Sequence, residues 1–341
     1  MAAVPAEQIE PRKKRRLHSD VPEAKENEAE PVPHEGLWFE DGNIILIAEE
    51  TAFRVHRGVL SLHSEVFRNM FLVPQPSDVV EGGSTMLGLG CPFVRLHDTP
   101  EDLAMFLSIL YGKRSIYYKL EHALPFADLR AMLLLAMKYQ VEGISIEAID
   151  RLEACYPFSQ LPDYDCEQTR NRDGPPLAIV PEDSIAVVNL ARLFDLPRLL
   201  PTALYGCCQL DTSKLLDGVR YGRELVRLSE EDVRRCFIVK DELMKKKHIM
   251  TALIMDPYTS PECSAPTQCR RGVQKLTWDG SQQPFWTNYN PLQLIDSWLD
   301  KRTGKLLCSR CAPGIGTRYN QKRLEVWEEL GKIFDVSPWP V

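Results

Sequence analysis

Phe53-Arg54-Val55-His56-Arg57-Gly58-Val59-Leu60, followed after three residues by Ser64-Glu65-Val66-Phe67-Arg68-Asn69-Met70-Phe71, changes its hydrophobic period partway along. Ala52 to His56 alternates, as side chains do on the two faces of a strand. From Val59 onward the apolar residues Val59, Leu60, Leu62, Val66, Phe67, Met70 and Phe71 recur at intervals of three and four, the spacing of a helix with one buried stripe. Ser64 divides that stretch. Its hydroxyl suits the N-cap of a second short helix, where it accepts a hydrogen bond from a freed backbone amide. A strand that runs straight into a pair of short helices points to helices packed on a small sheet, an α+β class.

Working outward, Asn43-Ile-Ile-Leu-Ile-Ala48 is rich in β-branched residues and apolar throughout, as in a strand covered on both faces. Val94-Arg95-Leu96 reads as a third strand. Thr99-Pro100-Glu101-Asp102 is a helix start with an N-cap, a proline at the first position and acids in the first turn. Leu103, Phe106, Leu107 and Leu110 continue it, and Pro125 opens further helix to about Leu152. Residues 1–35 hold five prolines, eight acids and few large apolar residues, so they are expected as a disordered tail. Residues 157–181, with five more prolines, are expected as a linker or long loop. Residues 182–255 read as a helical array, with a capping box at Ser229-Glu230-Glu231-Asp232 ahead of Val233, Phe237 and Met244. Residues 256–341 are expected to be loop-rich, with the last four cysteines and five tryptophans, Trp278, Trp286, Trp298, Trp327 and Trp339.

The residues from about 36 to 156 resemble the BTB/POZ domain. Phe53, His56, Val59, Leu60, Ser64, Phe67, Met70 and Phe71 carry its signature. Val94 to Leu103, Leu110-Tyr111-Gly112 and Ala136 to Val141 are similar to its later strand and helices. Asn189 to Pro197 and Trp327 to Phe334 resemble the long BTB proteins of mushroom-forming fungi. The resemblance implies a module that binds other proteins: a homodimer, or an adaptor joining partners to cullin ubiquitin ligases or transcriptional regulators. Core residues of the signature are each expected to contribute about 1.5–3 kcal/mol of hydrophobic free energy. His56 is expected to be structural, bonded to the helix start. Many dimeric members pair an Asp on the first strand with a basic residue after the His. Here Asn43 stands in the Asp place beside Arg57, which leaves that Arg without a carboxylate and weighs against the standard dimer. For cullin recruitment the family motif finds only Val79-Val80-Glu81, past a proline-rich break.

Composition narrows the rest. The 341 residues are 44% hydrophobic and 26% charged with net charge −7, and no apolar run approaches the ~20 residues of a membrane span. The chain lacks an apolar secretory core at its start, so its ten cysteines are expected as thiols or metal ligands. From Cys263 on, 11 Lys and Arg face 7 Asp and Glu, so this end is basic. Arg12-Lys13-Lys14-Arg15-Arg16 suits the acidic grooves of nuclear import receptors, with a solvated charge run as the plain alternative. A nuclear nucleic-acid-binding regulator using these two basic regions is the competing class. Against it, aromatics are not interleaved with the basic residues as a stacking platform requires. No GxGxxG, P-loop, GxSxG or HExxH pattern occurs, and no catalytic residue is assigned.

Cys308-Ser-Arg-Cys311 has the two-residue spacing of a zinc knuckle, and Cys263 and Cys269 lie upstream with 38 residues between the pairs. Four thiolates from two pairs would complete a tetrahedral structural zinc site; burial as ordinary packing thiols is the alternative. Cys207 and Cys208, adjacent on a helical segment, are expected to pack. Cys91, Cys155, Cys166 and Cys236 show no ligand spacing.

Overall fold

Ile44 to Ala48 is buried along its whole length, and the N-terminal half is built around it. The computed structural model describes residues 30–73, 90–113, 123–169, 177–256, 260–283, 286, 288–337 and 339. In chain order this half comprises β1 (Val32–Trp38), β2 (Ile44–Ala48), β3 (Thr51–Val55), α1 (Arg57–His63), α2 (Glu65–Leu72), β4 (Phe93–Leu96), α3 (Pro100–Leu110), β5 (Leu124–Pro125), α4 (Phe126–Lys138) and α5 (Glu142–Cys155). The main sheet has the order β1-β3-β2-β4. β2 and β3 pair antiparallel, with Leu46 opposite Phe53, while β1 and β4 run parallel to their neighbours. Ile44, Leu46 and Ala48 face the helices with Phe53, Leu60, Phe67, Phe106 and Tyr139. Ile45 and Ile47 pack with Ala52 under Trp38, Cys91 and Phe93 on the other face.

β1 begins inside the stretch expected as disordered tail. Only Leu37 of its side chains is buried, so hydrophobicity gave no sign of it. Main-chain bonds hold this edge strand instead: Val32 N–H to the Glu50 carbonyl at 2.7 Å and Phe39 N–H to that of Arg54 at 2.9 Å.

The expected linker is also structured where it is described. α6 (Leu161–Thr169) starts with Pro162 in its first turn, where a missing amide costs nothing. β6 (Leu177–Ala178) pairs parallel with β5. Pro175 and Pro176 lie outside the described residues, as do the import run Arg12–Arg16 and Val79-Val80-Glu81.

The array follows as α7 (Asp183–Leu193), a 3-10 turn at Pro197–Leu199, α8 (Leu200–Gln209), α9 (Thr212–Asp217), a hairpin of β7 (Val219–Tyr221) and β8 (Glu224–Val226), and α10 (Glu230–Met255). Ser229 caps α10, accepting from the Asp232 amide at 3.1 Å. Phe237, placed on the apolar stripe by its spacing, is exposed; Cys236, Val239 and Leu243 form the buried face instead.

The C-terminal segment is helical rather than loop-rich: α11 (Pro266–Ser281), α12 (Asp296–Leu306) and α13 (Ala312–Ile333). The buried stripe of α11 is Cys269, Gly272, Val273, Leu276 and Gly280. Two of its positions are glycines because neighbours come too close for a side chain. A Cβ on Gly272 would lie 2.3 Å from the Leu306 carbonyl oxygen. The glycines leave only Cys269, Val273 and Leu276 to mark this stripe in the sequence.

Two helices contribute to both halves: α5 places Ile144 in the core under the sheet and Ala148 and Leu152 in the core of the array, and α4 does so more extensively. α4 buries Leu129 and Leu133 in the core of the array, while Met132, Leu135 and Ala136 belong to the core under the sheet. The array core continues through α5 (Ala148, Leu152) and α7–α8 to Tyr319 and Trp327 of α13. The non-helical segment from Asn290 to Gln293 is held by buried polar side chains. Tyr205 donates to Asn290 Oδ1 at 2.6 Å, Lys247 Nζ donates to the Asn290 carbonyl and to the Tyr319 hydroxyl at 3.1 Å each, and Arg323 Nε donates to the Leu292 carbonyl at 3.0 Å.

Two predictions follow from this packing. Ser64 Oγ is buried, accepts the Phe67 amide at 3.1 Å and donates to the Tyr139 carbonyl at 2.5 Å. Ser64→Ala should cost about 1–3 kcal/mol, since a helix cap is lost and a buried carbonyl left unpaired; urea denaturation reads it, and a change below ~0.5 kcal/mol would contradict it. The second concerns Lys247, whose ammonium is pulled down to about 8 by burial, with Arg323 adding to the effect. Between that value and its ordinary 10.5 the unfolded chain holds a proton the folded chain has released. This group therefore makes stability rise with pH across that window. Lys247→Met should remove the rise, read as the wild-type minus variant difference in unfolding free energy; a flat difference would count against it.

Candidate functional site

At the junction of β3 and α1, sheet, helix pair and α3 meet. The His56 backbone amide donates to the Tyr111 hydroxyl at 2.7 Å, and the same hydroxyl lies 3.1 Å from the ring Nδ1. Nε2 is 3.1 Å from Asp41. The histidine is therefore a tether to the end of α3 and to the β1–β2 loop, and makes no side-chain bond to the start of α1. Burial pushes the Tyr111 hydroxyl above the usual phenol range, so it stays protonated. Tyr111 is the residue here to which sequence reasoning assigned no role: nothing in a lone Tyr after a helix shows that it will reach back 55 positions.

Asn43 and Arg57 do meet, but through the main chain of one partner. Asn43 Oδ1 accepts the Arg57 backbone amide at 2.8 Å and so caps α1 from the head of β2. The Arg57 guanidinium turns the other way, donating to the Phe71 carbonyl at 2.6 Å with its carbon 5.2 Å from the Phe71 ring centre. The expectation of an Arg without a partner is thus corrected. It satisfies an orphan carbonyl in the last turn of α2, although among the described residues no carboxylate pairs with it. Asp41, two residues before Asn43, pairs with His56 rather than Arg57. Phe53, Leu60, Ser64 and Phe67 are buried, while Met70 and Phe71 pack at the margin of the same core. Val59 is partly buried.

The second constellation is the four-cysteine group. Cys263 lies in the loop before α11, Cys269 in the first turns of α11, Cys308 just after α12, and Cys311 at the N-cap of α13. Their sulfurs all lie within 4.8 Å of one another. Cys263 and Cys308 sulfurs are 3.8 Å apart. The Cys308 amide donates to Cys269 Sγ and the Ser260 amide to Cys311 Sγ, each at 3.3 Å. The amides of Cys311, Arg310 and Ser264, the first foremost, draw the Cys308 thiol down to about 5 against the effect of burial. Burial pushes the Cys311 thiol up to about 12 and raises that of Cys269. The remaining thiols are dispersed. Cys207, Cys208 and Cys236 are buried, Cys91 and Cys155 half-buried, and Cys166 is exposed. The Cys208 sulfur contacts the Cys236 carbonyl at 3.6 Å.

Residues 40–154 match the BTB/POZ domain family, over the sheet, the helix pair and α3 to α5. This part of the chain is a BTB/POZ domain, a module that generally mediates protein–protein interaction, dimerisation included. No curated protein matches the chain.

The junction yields a stability prediction. Arg57→Ala removes the bond to the Phe71 carbonyl and the contact with its ring, and should cost about 1–2 kcal/mol. Chemical denaturation checks this, and an unchanged midpoint would show that the Arg57 side chain does not hold the end of α2.

Proposed function

We propose that this chain is an interaction scaffold: its BTB/POZ domain docks a partner protein, and the fused array fixes that partner relative to a second one. The single observation that supports this reading most is the burial of α4 in both cores, which ties the family-matched domain to the array without a flexible joint. The hairpin reinforces the tie. Arg130 of α4 donates to both carboxylate oxygens of Glu224 at 2.7 Å, and its guanidinium carbon lies 5.1 Å from the Tyr221 ring centre. Both bonds come from one guanidinium nitrogen, and their charge-assisted character makes them stronger than neutral hydrogen bonds.

Cullin ligases and transcriptional regulators are the partner classes we propose, with self-association as a further use of the same domain. A nuclear site of action rests on the Arg12–Arg16 run. The nucleic-acid reading has less to support it. Trp327 is buried against Trp339, their rings tilted at 59° with centres 4.9 Å apart, so these two rings form a core rather than a base-stacking surface, while Trp278 is exposed. Among the described residues no helix is long and apolar enough to cross a membrane.

Cross-linking mass spectrometry of the tagged full chain in nuclear extract tests the proposal. It should recover protein partners whose cross-links fall within residues 40–154, and these should persist when nucleic acid is digested. Recovery that disappears on nuclease treatment, with salt-dependent binding to duplex DNA by the purified chain, would overturn it.

A further inference from the structure

We infer that Cys263, Cys269, Cys308 and Cys311 form a structural zinc site that clamps the ends of α11, α12 and α13 to the loop preceding α11. This goes beyond the scaffold reading and does not depend on it.

The geometry decides between the chemistries open to four thiols. A tetrahedral ion with Zn–S bonds of about 2.3 Å holds its sulfurs about 3.8 Å apart. The Cys263–Cys308 separation is 3.8 Å, and all four sulfurs lie within 4.8 Å of one another. A disulfide needs sulfurs at about 2.05 Å, so these thiols are spread around a centre rather than paired. Packing alone does not account for them either. The four come from two segments 38 residues apart, yet they converge sulfur to sulfur, where apolar side chains would serve a core better.

The surroundings suit thiolates. Two main-chain amides, those of Cys308 and Ser260, point at sulfurs of the group. Such bonds stabilise negative charge on sulfur and orient the ligands. Cys308 and Cys311 form a knuckle around the start of α13, where the Cys311 and Ala312 amides both donate to the Cys308 carbonyl at 3.0 Å. Among the described residues no His, Asp or Glu joins the four. A set of four sulfurs has no open position for water or substrate, which marks a structural centre rather than a catalytic one. On binding, the thiols release their protons to solvent and the site becomes a dianionic Zn(Cys)4 centre, with no change of oxidation state.

What the ion would do follows from where the ligands sit. The stretch from Asp256 to Ala265 is non-helical where it is described, and Cys263 anchors it. Cys269 and Cys308 join α11 to the end of α12 at the place where Gly272 allows their close approach. Cys311 then sets the start of α13, whose Arg323 reaches Asp165 of α6. Elsewhere these helices share the array core, so the clamp orders this end rather than folding the whole segment.

The test uses the full chain purified without chelators. Elemental analysis should find one zinc per chain, and removal of zinc should speed hydrogen exchange at the Ser260 and Cys308 amides. Cobalt replacement should give the charge-transfer and d–d absorption of a tetrahedral tetrathiolate. Cys263→Ser, in the loop and outside any helix, should keep the helical circular-dichroism spectrum. It should lower zinc affinity by more than ~100-fold, beyond the loss typical of removing an outer hydrogen-bond partner, while Cys91→Ser leaves affinity unchanged. Folded protein with no metal and four freely alkylated thiols would overturn the assignment. So would a mass short of four hydrogens, which means two disulfides, or iron in place of zinc.

Discussion

The burial of α4 on two opposite faces is the constraint on which the rest of this molecule depends. Phe126, Leu129 and Leu133 lie in the array core with Ala148 and Leu152 of α5. Separating the BTB/POZ domain from the array would bare those side chains, a cost on the order of 10 kcal/mol as an upper bound from area. The net stability of a domain is about 5–15 kcal/mol. The interface is therefore of the same size as the stability it joins, and the two halves are expected to behave as one cooperative body.

This arrangement gives the scaffold reading its mechanical content. A partner seated on the domain would be held at a fixed distance and angle from α10–α13. The far end of the array has its own fastenings, and they are polar. Around Asn290 to Gln293, side chains of α8, α10 and α13 bond to main-chain groups of a stretch with no helix of its own. The four sulfurs lie at the start of α11, the end of α12 and the start of α13. Each supplies directional bonds where the chain has irregular backbone to satisfy.

Much of this was legible in the sequence, and what was not has physical reasons. The helix starts were readable because their signals are local: Ser64 and Thr99 each accept the amide three residues on, and Pro100 opens α3 as expected. The longest apolar run, Ala131 to Met137, proved to be the helix buried on both sides, since a helix that is apolar all round must be covered all round. The CxxC pair was readable for the same local reason, and the fold brought Cys263 and Cys269 to it. β1 was not legible because an edge strand is held by its main chain, whose bonds leave no mark on composition. α11 was missed because only Cys269, Val273 and Leu276 mark its buried stripe, and the two glycines that complete it carry no apolar side chain. His56 is structural as expected, but its partner and that of Arg57, the hydroxyl of Tyr111 and a carbonyl of α2, were not readable because they lie 55 and 14 residues away.

Differential scanning calorimetry of the full chain tests the two-sided burial of α4 most directly. The account predicts that the BTB/POZ domain and the array melt in a single transition, with a van't Hoff enthalpy equal to the calorimetric one. Two separable transitions, one for each half, would contradict it.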